Sequence, residues 1–163
     1  MYTRIFFVDE FYNQLGILKF RVQIKNQLNY YKMKVTLISI PVRDQEKAFQ
    51  FYTKKLGFLV KKDEPLGGGN RWLTLVSKDW QDGPELLLEP APNHFEPCKV
   101  YQDALLKAGY PYTQFNVDNV DAEYERLLQL DVAFSVKPTA AGTVKYAIFN
   151  DTCGNNIQLV ETL

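Results

Sequence analysis

The chain has 163 residues, 46% hydrophobic and 23% charged, an ordinary globular composition that excludes an extended disordered polymer. Nineteen basic and nineteen acidic residues cancel, so no net field recruits nucleic acid or an anionic membrane. Cys98 and Cys153 form neither a metal-type spacing nor a disulfide framework and point to a reducing compartment, the cytoplasm, while no apolar run approaches the ~18 residues of a membrane span.

Residues 1–32 carry eight aromatics and five basic residues. Phe20, Val22 and Ile24 alternate with Arg21, Gln23 and Lys25, a strand-like pattern. Three readings of this extension stay open: an arm or edge strand that pairs with a partner, a loosely attached tail, or a stretch upstream of a true start at Met33.

The organised part begins at Met33. A short apolar run, VTLISI, leads into VRDQEKAFQFYTKKLGF. Asp44 can cap a helix over Asp44 to Leu56 with Glu46 in its first turn, and Ala48, Phe49, Tyr52 and Leu56 give it one apolar face. Gly57 stops it at the position where a left-handed residue is usual. A short strand is expected at Leu59–Lys62, then the loop DEPLGGGN, a strand at Arg71–Ser77 and another at Glu85–Glu89. PAPNHFEP holds three of the eight prolines and reads as a linker, followed by a helix from about Cys98 to Ala108. The second half runs Tyr112–Val117 (strand), DNVDAEYERLLQL (helix), Ala133–Val136, Thr143–Phe149 and Asn156–Glu161 (strands).

The two halves repeat at an offset of about 74 residues. Ala48, Leu56 and Phe58 fall on Ala122, Leu130 and Val132, and Asp44 on Asp118. The second helix face is Val120, Tyr124, Leu127 and Leu128, and Asp131 stands where Gly57 stood. This is βαβββ twice. Gly67-Gly68-Gly69 lacks the Lys-Ser/Thr and helix of a phosphate cradle and reads as a hairpin loop. His94 is the only histidine, so no Ser-His-Asp or Cys-His set is suggested, and a surface role is expected for it.

The paired modules, together with VDNVDAEYERLLQL and the closing DTCGNNIQLVE, resemble the vicinal oxygen chelate superfamily of glyoxalase I, bleomycin and fosfomycin resistance proteins and extradiol dioxygenases. The resemblance covers Met33 to Leu163. It implies an α+β fold in which the modules, about 34–90 and 110–163 with a linker at 91–109, form a curved mixed sheet around a shared cleft, helices outside. It also implies, for the enzymes, a divalent metal on the concave face. The positions that match its ligands are Leu37, Tyr112 and Gln158, with Glu85 or Glu89 as a fourth. An alkyl group cannot coordinate, and a phenol and a neutral amide are poor replacements for imidazole and carboxylate. The expectation is therefore no cofactor and no catalytic residue.

Strand alternation sorts the rest. It puts Leu37, Ser39, Pro41, Glu85, Leu87 and Glu89 on the cleft face of the first module. In the second it puts Tyr112, Gln114, Asn116, Asn156, Gln158 and Val160 there, with Trp72 and Tyr146 near. The expected ligand contacts are Ser39, Trp72, Tyr112, Gln114, Asn116, Tyr146 and Gln158. A plainer alternative is that a partly solvated sheet carries these polar residues without binding anything. The function expected is metal-free binding of a small molecule by a homodimer. The alternative is a lyase, isomerase or dioxygenase whose metal is held by an altered set drawn from Glu85, Glu89, Gln158 and Glu161.

Overall fold

The computed structural model describes residues 33–163; the aromatic-rich extension, and the readings of it, lie outside them. The first module comprises β1 (Leu37–Pro41), α1 (Gln45–Gln50), β2 (Leu59–Gly67), β3 (Asn70–Val76) and β4 (Glu85–Glu89). A 3-10 turn at Ala91–Asn93 and α2 (Glu96–Ala108) join it to the second module: β5 (Pro111–Asn116), α3 (Val120–Leu128), β6 (Phe134–Ala141), β7 (Val144–Asn150) and β8 (Asn156–Thr162). The result is an α+β fold of two curved four-stranded mixed sheets, ordered β1-β4-β3-β2 and β5-β8-β7-β6. The pairs β1–β4 and β5–β8 are parallel and the others antiparallel.

Local chemistry explains the element ends. Asp44 accepts a hydrogen bond from the Lys47 N–H at 2.9 Å and starts α1. The helix then widens into a π turn, Phe51–Lys55, where the Leu56 N–H reaches back five residues to the Phe51 carbonyl. Gly57 follows at φ +79°. In the second module the cap is Asn119 rather than Asp118: its side chain accepts from the Ala122 N–H at 2.8 Å. The cap moved one residue because Asn and Asp serve equally and Asn119 stands in the extended conformation that a cap needs. Asp131, at φ +56°, takes over the left-handed stop. The hairpin β2–β3 is longer than expected. Its ladder continues through Asp63–Leu73 to Gly67–Asn70, and Gly68 and Gly69, both at positive φ, close it in two residues.

One core lies on the helix-bearing faces of both sheets. It takes Ile40, Leu73, Leu75, Leu86 and Leu88 from the first, and Ala147, Phe149, Ile157 and Leu159 from the second. Each such side chain contributes about 1.5–3 kcal/mol by leaving water. The π turn rotates Phe51 into this core, so α1 buries Gln45, Ala48, Phe51 and Tyr52, while the expected Phe49 and Leu56 are only partly covered. Phe51 stacks on Phe149 with centroids 6.1 Å apart, and Phe58 meets Phe115 at 5.2 Å, so side chains of the first module pack directly on the second.

The junction of the modules is polar at its centre. The Asp151 carboxylate accepts from the Cys153 and Asn155 N–H groups, from Asn155 Nδ2 and, at 3.0 Å, from the Tyr52 hydroxyl. Asn155 Nδ2 and Gln102 Nε2 both donate to the Pro41 carbonyl, at 2.9 and 2.8 Å. Gln102 is the one buried residue of α2. Burial raises the Asp151 pKa against the pull of these donors, and burial beside Asp151 raises that of Tyr52 well above its ordinary value. Replacing Tyr52 with phenylalanine keeps the packing and removes one of the four donors. It is expected to cost about 1–3 kcal/mol in urea unfolding. A loss below ~0.5 kcal/mol would show that Asp151 does not depend on that hydroxyl.

Candidate functional site

Among the described residues, each sheet has a face that carries no helix, and strand register decides what stands on it. On the first sheet, Leu37, Ser39 and Pro41 of β1 lie beside Glu85, Leu87 and Glu89 of β4. Leu87 lies opposite Thr74, Thr74 opposite Lys62, and Trp72 opposite Glu64. Trp72, Thr74 and Val76 alternate with the core residues Leu73 and Leu75, so they share this face. At one end the face hollows into a cavity of about 240 Å³ lined by Leu66, Trp72, Leu87, Glu89, Pro90 and His94.

The position of Trp72 is fixed from the other side of the sheet. The buried Gln45 amide donates to the Arg71 and Leu88 carbonyls at 2.9 and 2.7 Å and accepts from the Arg71 N–H at 3.0 Å. It thereby ties the start of β3 to β4 one residue before the tryptophan. The Arg71 guanidinium turns toward α1, bonding Glu46 and Asp63 and lying 5.6 Å from the Phe49 ring centre. Arg71 also lines the cavity, with its charge paired to these two carboxylates.

On the second sheet, Gln114 of β5 pairs with Gln158 of β8, Gln158 with Ile148 of β7, and Tyr146 with Val160. Gln114 Nε2 donates to Asn116 Oδ1 at 3.4 Å. Gln114, Asn116, Tyr146 and Gln158 therefore share one face, as expected, with buried Ile148 and Val160 between them. Asn116 also lines a larger crevice of about 590 Å³ at the module junction, with Phe58, Phe115, Arg126 and Leu159.

Ser39 and Trp72 stand on the first sheet's free face. Two other expectations are corrected. A bulge places both Pro111 and Tyr112 against a single step of β8, so Tyr112 leaves the alternation and packs against the core. Its hydroxyl pKa is raised by burial and by nearby Cys98, Tyr101 and Glu89; Cys98 is raised by burial and by the same glutamate. Glu161 also faces the helices: its carboxylate accepts from the Val120 N–H at 2.8 Å, at the positive end of α3. Strand alternation already puts Glu161 on the side of Ile157 and Leu159, so its candidacy as a cleft ligand ran against the period.

His94 lines the cavity and is exposed, consistent with the surface position expected for it. The 3-10 turn Ala91–Asn93 folds it back, a bend that proline content announces without giving its direction. Glu64 joins the face because β2 is long, which the glycines hid; Thr74 joins it by the alternation of β3, and Leu87 stands where expected.

The donor set does not fit a metal centre of the superfamily pattern. Leu37 stands directly beside Glu85, whose Oε1 is 3.8 Å from Lys62 Nζ. Glu89 lies four residues along the strand, about 13 Å away. Glu161 is on the opposite face of the other sheet. Among the described residues no three His, Cys, Asp or Glu side chains gather as ligands.

A family model described as Glyoxalase/Bleomycin resistance protein/Dioxygenase superfamily matches residues 34–159. The protein YurT of Bacillus subtilis (strain 168) is 50% identical over 129 residues, covering 79% of this chain and 99% of its own. Among solved structures, UcmS2 is 33% identical with a TM-score of 0.69, covering 81% of this chain and 100% of its own. TnmS3, titled an antibiotic binding protein from Streptomyces sp. CB03234, is 29% identical with a TM-score of 0.63, over 82% of this chain and 100% of its own.

The face assignment can be checked by neighbouring substitutions in β8. Leu159→Ala should lower stability by about 2–5 kcal/mol. Gln158→Leu should leave the urea midpoint nearly unchanged. The reverse pattern would mean that β8 is one residue out of register.

Proposed function

Because the chain belongs to the glyoxalase/bleomycin resistance protein/dioxygenase superfamily, we propose that it is a metal-free protein that holds a small organic molecule against the helix-free faces of its sheets. The observation that carries this reading is Leu37 beside Glu85: the fold's ligand position holds an alkyl group, and the chemistry of the enzymes needs a Lewis acid to polarise an oxygen chelate. The similarity to TnmS3, an antibiotic binding protein by its title, supports binding as the function of such a fold. A hollow lined by tryptophan and leucine beside a few polar groups is the usual make-up of a small-molecule site.

A ligand for these faces has an apolar or aromatic body and several hydrogen-bonding atoms. Trp72 and Leu87 supply area, and Gln114, Asn116 and Gln158 supply donors and acceptors without a fixed charge. The alternative of a lyase, isomerase or dioxygenase would need a metal held by Glu85, Glu89 and Glu161, three groups that face three different surroundings.

Two solution properties follow from the proposal. Protein purified without chelator or a metal-affinity tag should contain far less than one equivalent of transition metal, and a thermal-shift screen of aromatic and polar metabolites and antibiotics should find a stabilising ligand. Stoichiometric metal lost on Glu85→Ala or Glu89→Ala would move the enzyme reading ahead.

The strands β1 and β5 are sheet edges, and two-fold association is the commonest way to cover such edges. A homodimer is therefore expected, and light scattering at tens of micromolar should give about twice 18.9 kDa. The monomer mass would count against it.

A further inference from the structure

The free face of the first sheet carries three carboxylates, Glu64, Glu85 and Glu89, and among the described residues the one cation paired with any of them is Lys62, beside Glu85. Trp72 stands between two carboxylates, Glu64 across the ladder on β2 and Glu89 in the shared cavity wall on β4. Among the described residues neither has an ion-pair partner. The nearby cations already have partners: Arg71, which also lines the cavity, pairs with Glu46 and Asp63, and Lys62 pairs with Glu85.

A second observation points to the same face. Among the described residues, two buried side-chain polar atoms lack a hydrogen-bond partner, the Thr74 hydroxyl and Glu85 Oε2. Both belong to this face, and Thr74 is fully buried one row from Trp72, directly opposite the cavity residue Leu87. A carboxylate oxygen only accepts, so Glu85 Oε2 needs a donor; Lys62 lies near the other oxygen alone. Buried polar atoms are rarely left unpaired, and the two exceptions stand in rows of the face next to the hollow, Thr74 beside its wall residue Leu87 and Glu85 two residues before Leu87 on β4.

We propose that this face binds an organic cation. A protonated or quaternary amine sits over the Trp72 ring between Glu64 and Glu89, with the rest of the molecule lying over Leu87. The ring offers the negative face of its quadrupole and the carboxylates offer full charge, an attraction that grows as the hollow excludes water. A neutral molecule of the same shape would leave both carboxylates desolvated without compensation, and an anion would be repelled. The inference rests on the reading of the chain as a small-molecule binder and adds the charge of what it binds.

Trp72 is its own reporter once Trp80, which is exposed and lies outside this face, is replaced by phenylalanine. The probes are choline, its neutral isostere 3,3-dimethylbutan-1-ol, and acetate, each titrated into the Trp80→Phe protein while Trp72 emission is followed. Choline should give a saturable change, at least about tenfold tighter than the isostere, and weaken with added salt; acetate should give none. Glu64→Gln and Glu89→Gln should each weaken choline binding by about three- to tenfold without moving the urea midpoint. Equal binding of choline and the isostere overturns the proposal, as does no response to choline, or full affinity in the Glu64→Gln, Glu89→Gln double variant. A neutral ligand from the thermal-shift screen that binds both glutamine variants normally would also overturn it, while leaving the small-molecule reading standing.

Discussion

The two modules meet through one buried carboxylate. Asp151 sits in the turn between β7 and β8, and its partner Tyr52 comes from the far end of α1. Placing a charge there is expensive, and the cost is offset only because four donors converge on it. Three of those donors lie within its own turn, which therefore folds around the charge. The fourth reaches from the other module, so a misdocked module leaves the carboxylate short of a partner. Apolar packing of Phe51 on Phe149 supplies energy at this junction, but rings slide at little cost; the hydrogen bond sets which of the similar packings is occupied.

The repeat makes that arrangement informative, because the pseudo-equivalent junction lacks it. At the 74-residue offset, Tyr52 corresponds to Arg126 and Asp151 to Ser77. Arg126 bonds Glu123 within its own helix and the Lys55 carbonyl, and the crevice of about 590 Å³ opens beside Ser77. The linker helix α2 accentuates the difference by sending Gln102 into the first junction alone. The module pair thus closes tightly at one end and loosely at the other.

What the sequence disclosed follows the reach of each signal. Helices, stops and core faces repeat with a period, and the repeat let one half check the other; Gly57 and Asp131 show how a left-handed position survives a change of residue. The sheet faces were legible wherever alternation ran unbroken, as in Gln114, Asn116 and Gln158. They failed where a single residue was inserted. Tyr112 was displaced by a bulge, and Phe51 was turned inward by a π turn, and neither insertion leaves a mark in residue type. Glu161, Gln45 and Asp151 were missed for a different reason: each is a polar side chain whose partners lie on other elements, and pairing across a fold is invisible to a period read along it. The hairpin was underestimated because a glycine run reads as a loop, although two glycines at positive φ allow the strands to continue almost to the turn.

On the proposed metal-free reading, the functional question reduces to what each free face can do without a Lewis acid. The second sheet presents neutral amides around Ile148 and Val160, groups that can accept or donate and so tolerate many ligands. The first presents an indole, two unpaired carboxylates and two orphan polar atoms, a harder demand that only some ligands meet. Such a division separates affinity from selection. Amides and apolar area reward any molecule of suitable shape, whereas desolvated carboxylates penalise every molecule lacking the right charge. With Leu37 at the position that matches a metal ligand, the proposed metal-free reading leaves the face without the strongest local positive charge such a fold could hold. On the first sheet Glu85 is paired with Lys62, whereas Glu89, in the cavity wall about 13 Å along the strand, has no ion-pair partner among the described residues, so the unbalanced charge lies beside Trp72 and not at the position where the enzymes of the fold hold their metal.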